Sequence, residues 1–231
     1  MQNQRARKHT WNYDYFNEID SEHKAYWLGF LLGDGSVVSQ QNYKKVRFVQ
    51  CDYEILLDFC KDIEHSGFPA YEGPRMKKTY SEAWSVNLFH TGFAESLEWW
   101  GLSKKSTRPW PSLGDLDCHA VRGLLDADGH VWGDTEKHSF SISFTHASKD
   151  LAESVMELLR SVTGSKAKVF RGNGTWQWSI SGRNSVACLA NWLYKDSTRF
   201  LKRKRDRALL PWDLGSHVPR KSLPCCFVPK D

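Results

Sequence analysis

Residues 23–36 read HKAYWLGFLLGDGS, and residues 118–131 read CHAVRGLLDADGHV. Each is an apolar run of helix length that ends in one aspartate before a glycine. Asp34 and Asp128 stand 94 positions apart, as do Gly29 and Gly123. The correspondence continues downstream, where AWSVNLF around Trp84 and QWSISG around Trp178 keep the same separation. A constant offset over that span marks two copies of one unit. They cover about 20–112 and 113–210, with an arm over 1–19 and a proline-rich tail over 211–231.

The order of elements is the same in both copies. In the first, Asp20 or Ser21 is placed to cap a helix running through Leu32. Val37 and Val38, a polar SQQN turn and YKKVRFVQ read as a hairpin. In its second strand Val46 and Phe48 face one way, Lys45 and Arg47 the other. Asp52 opens a helix with Ile55, Leu56, Phe59 and Ile63 at helical spacing. A second hairpin over about 70–89 leads to a short helix at FAESLEWW. In the second copy, HVW, a GD turn and FSISFTH form the first hairpin. Ser148 caps the following helix, KVFRGNGTWQWSI turns at Asn-Gly, and NSVACLANWLY is helical. Each half therefore reads α-β-β-α-β-β-α, an α+β fold with antiparallel sheets covered on one face by helices. The tail is expected to be extended.

Composition narrows the class without naming a function. The 231 residues are 40% hydrophobic and 26% charged, ordinary for a globular chain. No apolar run reaches membrane-spanning length, and MQNQRARKHT lacks the apolar stretch of a signal peptide. Six cysteines without a CxxC pair argue against a zinc ribbon and a secreted disulfide scaffold. A reducing intracellular setting, cytoplasmic or beside the nucleoid, is expected. The net charge of +5 and pI near 8.8 suit a polyanionic partner but do not single one out. The nine histidines do not cluster with partners for zinc-dependent HNH chemistry.

The repeated helices carry the chemistry. Helix 25–33 is apolar on nearly every face, which a surface helix is not. Gly29 and Gly33 stand four apart, as do Gly123 and Ala127; small residues at that spacing let two backbones approach closely. The expectation is that the two helices pair as the interface between the halves and bring Asp34 and Asp128 side by side. Adjacent carboxylates repel unless a cation lies between them, and hard oxygens with open water positions suit Mg²⁺. One Asp-Gly pair reads as a turn; two at a fixed offset after matched helices do not.

WLGFLLGDG (27–35) and VRGLLDADG (121–129) resemble the two signature motifs of the LAGLIDADG homing endonucleases. The second matches the family name at most positions, while the first departs at Leu32 and Gly33. The resemblance extends over about 20–210. It implies a single-chain, pseudo-two-fold nuclease whose two sheets form a saddle on DNA and which cuts both strands, leaving short 3′ overhangs. It makes Asp34 and Asp128 the metal-bearing residues, with Gly33 and Ala127 before them in the metal shell. Mg²⁺ is the implied ion, with Mn²⁺ or Ca²⁺ substituting for binding. Family members place a lysine in each half near the metal; Lys105 in GLSKKSTRPWP and Lys204 in FLKRKRDRA are the positions that match. A polar residue ending the second strand positions water, and Gln50 and His146 occupy those places.

DNA contacts are expected from the sheet face opposite the helices, through Lys45, Arg47, Arg75, Lys77 and Arg171. An eight-residue strand spans about 27 Å, or about 8 base pairs at roughly 3.4 Å each. Two half-sites then imply a double-stranded target of about 16–20 base pairs, expected to be non-palindromic because the two halves differ at most positions. Members with one motif dimerise; a chain holding both is expected to act as a monomer, encoded in an intron or phage mobile element. The alternative is a non-cleaving binder of the same fold, either an RNA maturase or a regulatory DNA-binding protein.

Overall fold

Alternation decides the two sheets. The computed structural model describes residues 9–41, 43–73 and 82–213, and its chain divides into two compact units. One comprises Met1–Glu18 and Asp34–Glu98, the other Ile19–Gly33 and Trp99–Asp231. The units therefore do not follow the repeat boundaries, because most of the first repeated helix packs with the second copy.

In the first unit, β1 (Gly35–Gln40), β2 (Tyr43–Gln50), β3 (Ala70–Tyr71) and β4 (Trp84–Phe89) form an antiparallel sheet ordered β1-β2-β4-β3. Val46 lies opposite Val37 and Leu88, and Phe48 opposite Val86, so one face is apolar and buried. Helix α2 (Tyr53–Asp62) covers it with Ile55, Leu56 and Phe59, whose ring meets Phe48 edge-on at 5.2 Å. Asp52 stands at the start of α2 in extended conformation but makes no side-chain cap bond. On α3 (Thr91–Trp99), Phe93 packs on Phe16 of the N-terminal segment.

The second unit holds α1 (Glu22–Asp34) up to Gly33, with α4 (Asp117–Asp128). Its sheet joins β5 (Gly129–Asp134), β6 (Ser139–His146), β7 (Phe170–Gly172) and β8 (Thr175–Ser181) in the order β5-β6-β8-β7. Phe140, Ile142, Phe144, Trp178 and Ile180 form the buried face, under α5 (Lys149–Thr163) and α6 (Arg183–Tyr194). The Ser148 side chain accepts the Leu151 N–H at 3.3 Å and caps α5. Asn173 and Gly174 carry φ of 50° and 78°, the left-handed pair of a two-residue hairpin turn. The GD turn of the sequence reading is not a turn. Gly133 and Asp134 stay in β5 opposite Phe140 and Ser139, and the reversal falls on residues 135–138. Gly133 instead admits α7 (Lys202–Asp213): a Cβ there would lie 3.0 Å from Leu210 Cδ1. The same helix continues through Pro211 to Asp213, so the chain is still helical where an extended tail was expected. The remainder of that tail lies outside the described residues.

Ala25 to Gly33 are buried without interruption, as an all-apolar helix requires. The reason is the contact with α4. A Cβ on Gly29 would stand 1.8 Å from the Ala120 carbonyl oxygen, and one on Gly123 would stand 1.9 Å from that of Tyr26. At the C-terminal end a Cβ on Gly33 would meet Ala127 Cβ at 2.5 Å. Backbone touches backbone, which only glycine permits. The start of this pair is fixed by Arg122, fully buried, which donates to the Leu193 and Arg199 carbonyls and to Glu22 at 2.8 Å. Burial alone would raise the Glu22 pKa, but the Arg199 and Thr198 donors and Arg122 together hold it below the usual range.

Candidate functional site

The end of α1 enters β1 without a loop, and that geometry places the first carboxylate. Gly35 pairs with Phe48, so Gln50, two residues on, returns to the same face beside the helix end. Its Nε2 donates to Asp34 Oδ2 at 2.6 Å. Asp34 therefore has a neutral amide at its carboxylate.

The end of α4 is built in the same way, with a different outcome. Gly129 pairs with Phe144, and His146 stands where Gln50 stands in the first unit. Yet His146 turns inward. Its Nδ1 accepts the Ser148 N–H at 3.0 Å, and the residue is only 1% exposed. Burial pushes its pKa down to about 4 against the attraction of Asp128, with Lys105 and Arg108 adding to the depression. The ring is neutral at pH 7, and Ser148 fixes its proton on Nε2. Asp128 is met instead by Lys105, from the single turn of 3-10 helix Lys105–Thr107, with Nζ 3.1 Å from Oδ2. That approach is an ion pair without hydrogen-bond geometry, for Oδ2 is buried and takes no hydrogen bond. The resemblance assigns Lys105 to the first half; the structure has it at the carboxylate of the second.

Lys204 has a different occupation from the one its sequence position suggested. Its Nζ donates to the carbonyls of Leu125, Asp126 and Gly129, each at 2.7 Å, and the residue is buried. Three N–H groups meet three acceptors, so the ammonium closes the C-terminal end of α4, where carbonyls lack helical partners and a cation is favoured. Two further groups escaped the sequence reading. Asp126 is buried, accepts from Tyr26 Oη and Leu201 N–H, and is pushed up to about 6 by that burial. Its signal was the motif itself, which has Asp126 where the first copy has Leu32. Arg108, also buried, donates to the Leu32 carbonyl at 2.5 Å and closes α1 as Lys204 closes α4. No local pattern marks it.

The outer sheet faces differ in charge. Lys45 and Arg47 share the face of Phe89 and Asn87; Lys45 lies 5.1 Å from the Phe89 ring, and Arg47 pairs with Glu72 at 2.8 Å. Arg75 and Lys77 lie outside the described residues. Arg171 pairs with Trp176, which lies opposite His146, so strand parity puts it on the helix-covered side rather than the outer one. It stacks there 5.9 Å from the Trp176 ring. The outer face of the second sheet carries Ser141, Ser143, Thr145, Ser179 and Gln177 in its place.

The donor set bears on a metal. Asp128 offers a buried, anionic oxygen that receives no hydrogen bond, and a carboxylate oxygen is the hard donor that Mg²⁺ prefers. No group of three His, Cys, Asp or Glu side chains is gathered among the described residues. A divalent ion would thus rest on few protein ligands and complete its shell with water and substrate phosphate, as Mg²⁺ does. The residues fit such an ion; they do not fit a zinc cage.

Residues 115–192 match the family model of the LAGLIDADG-like domain. No curated protein matches the sequence. Among solved structures, the homing endonuclease I-WcaI bound to its DNA recognition sequence is similar at 11% identity and a TM-score of 0.62, over 85% of this chain and 91% of that one. The I-LtrWI LAGLIDADG homing endonuclease bound to target DNA aligns at 11% identity and 0.57, over 88% and 91%. The N-terminal LAGLIDADG domain of DUF199/WhiA aligns at 11% and 0.52, over 85% and 93%. At such identities the likeness is one of fold.

Proposed function

From the premise that this chain has the two-repeat LAGLIDADG fold, with a LAGLIDADG-like domain over residues 115–192, we propose that it is a site-specific DNA endonuclease. The reading is a Mg²⁺-dependent hydrolysis of both strands of a long non-palindromic duplex, leaving short 3′ overhangs, by one copy of the chain acting inside the cell. The observation that carries it is the repeated helix end: each matched helix stops at an aspartate, and each aspartate is met by a polar side chain brought from elsewhere in its own unit. A structural turn residue needs neither.

Asp34 and Asp128 would hold the metal, with the Gly33 and Ala127 backbone beside them. Such an ion supplies Lewis-acid polarisation of a phosphoryl oxygen and a more acidic water. Lys105 places a positive charge at Asp128, where it stabilises charge developing on the phosphate. Gln50 orients the Asp34 carboxylate through its Nε2. Lys204 Nζ and His146 Nδ1 bond the local backbone. Lys45 and Arg47 contact the duplex from the first sheet. The neighbours I-WcaI and I-LtrWI were seen bound to DNA, which supports a DNA partner here.

A second reading has its own support. The same fold occurs in the DUF199/WhiA domain, and two of the expected catalytic side chains, Lys204 and His146, are buried and bonded to backbone groups. A DNA binder that does not cut would keep the fold and those contacts. Incubation of the full chain with a plasmid library of random sites, with and without Mg²⁺, separates them. The endonuclease linearises a subset of plasmids only with Mg²⁺; retardation of DNA with no cut strand at any site overturns it in favour of the binder.

A further inference from the structure

Helix α7 opens with five cations in six residues, Lys202, Arg203, Lys204, Arg205 and Arg207. Three have assignments within the fold. Lys202 pairs with Asp206 one turn on. Lys204 is taken up by the Leu125, Asp126 and Gly129 carbonyls. The Arg205 guanidinium lies 4.5 Å over the Phe200 ring. That leaves Arg203 and Arg207, both exposed and one helical turn apart on one face. Arg203 has no hydrogen-bond or ion-pair partner among the described residues, and Arg207 makes one long bond of 3.3 Å to the Val131 carbonyl. Like charges at i,i+4 weaken a helix, so the pair has no stabilising purpose of its own.

What the pair faces is specific. A cavity of ≈310 Å³ is lined by Arg203, Arg207, Lys204, His130 and Val131, together with Ala127 and Gly129, the residues flanking Asp128. Its walls are mostly polar, and two arginines one helical turn apart are among them. Guanidinium forks match the oxygens of a phosphodiester, each able to bond two of them. We propose that this cavity seats a single backbone phosphate of the bound duplex, held by Arg203 and Arg207. The ligand is a DNA phosphodiester, and the two arginines are positioning residues that fix the strand relative to Asp128. The inference rests on the endonuclease or DNA-binding reading above, and it names a contact that the sheet faces do not supply.

The test uses the full chain and a duplex recovered from a random pool by its binding to that chain in Ca²⁺. Each phosphate of the duplex is replaced in turn by an uncharged methylphosphonate, and affinity is measured for wild type, Arg203→Gln and Arg207→Gln. Both positions are exposed, so the thermal midpoints should match wild type. At one phosphate the replacement should weaken wild-type binding about tenfold and the variants hardly at all. Each variant should also lower the slope of log affinity against log salt by roughly 1. If every methylphosphonate acts equally on wild type and variants, or the salt slopes coincide, the cavity binds no phosphate and this inference alone falls. If no duplex is recovered from the pool, the DNA-binding reading falls with it.

Discussion

The two helix ends are copies in backbone and strangers in chemistry. Each helix runs into a strand at a glycine, each strand pairs two residues short of a polar side chain, and each ends in aspartate. At Asp34 that side chain, Gln50, bonds the carboxylate at 2.6 Å. At Asp128 its counterpart His146 is buried, neutral and bonded through Nδ1 to the Ser148 N–H, and Lys105 stands at the carboxylate. The difference teaches that a duplicated fold preserves where a carboxylate is presented but not what charge balances it. An amide brings no charge to the carboxylate it bonds; an ammonium at 3.1 Å brings an opposite one. The two ends should therefore bind metal unequally, and the two strands of a target should be cut at unequal rates.

The largest expected effect removes the frame that both ends share. Gly29→Val and Gly123→Val should each prevent folding, because the added carbons would collide with the Ala120 and Tyr26 carbonyls at 1.8 and 1.9 Å. Soluble variants with the wild-type thermal midpoint would show that the helices are not paired through this face.

Next come the carboxylates themselves. Asp34→Asn and Asp128→Asn should each reduce double-strand cutting at least about a hundredfold, while duplex affinity in Ca²⁺ stays within about threefold. Slow nicking of one strand is the expected residue, and the nicked strand should differ between the two variants. Normal cutting by either variant in Mg²⁺ would strip that aspartate of its metal role.

The comparison sharpens at the neighbours. Lys105→Met removes a charge and Gln50→Leu an amide, so the first should slow its strand by about a hundredfold and the second by about tenfold. Strand-resolved single-turnover rates decide; equal losses would mean that the two partners do equivalent work.

The smallest effect at neutral pH concerns His146. Its folded pKa of about 4 lies below the ordinary 6.5, so the unfolded chain binds the proton first on acidification. Stability is intact above about 6.5 and is lost as pH falls towards 4, by on the order of 3 kcal/mol in total. His146→Gln should flatten that part of a plot of unfolding free energy against pH. An unchanged slope would show that acid sensitivity arises elsewhere.

The regular elements were legible because they are local. Ser148 announced its cap, Asn173-Gly174 its turn, and the alternation of Phe140, Ile142 and Phe144 its face. The Gly133-Asp134 turn misled because that glycine answers to α7, packed on it from far along the chain. Lys204 misled for the same reason: an RK pair looks alike whether its ammonium meets a phosphate or three carbonyls.

By itself the sequence determined the duplication, the α+β order of each copy, the glycine face of the paired helices and an aspartate at each helix end. These follow from periods of 2.0 and 3.6 residues and a fixed offset, all properties of neighbouring positions. Only the tertiary structure decided that Lys105 stands at Asp128, that His146 is buried and neutral, and that Arg203 and Arg207 remain exposed when the other cations of α7 are taken. Those outcomes depend on contacts between residues tens of positions apart, where burial and the demand of unbonded carbonyls for donors outweigh any local preference.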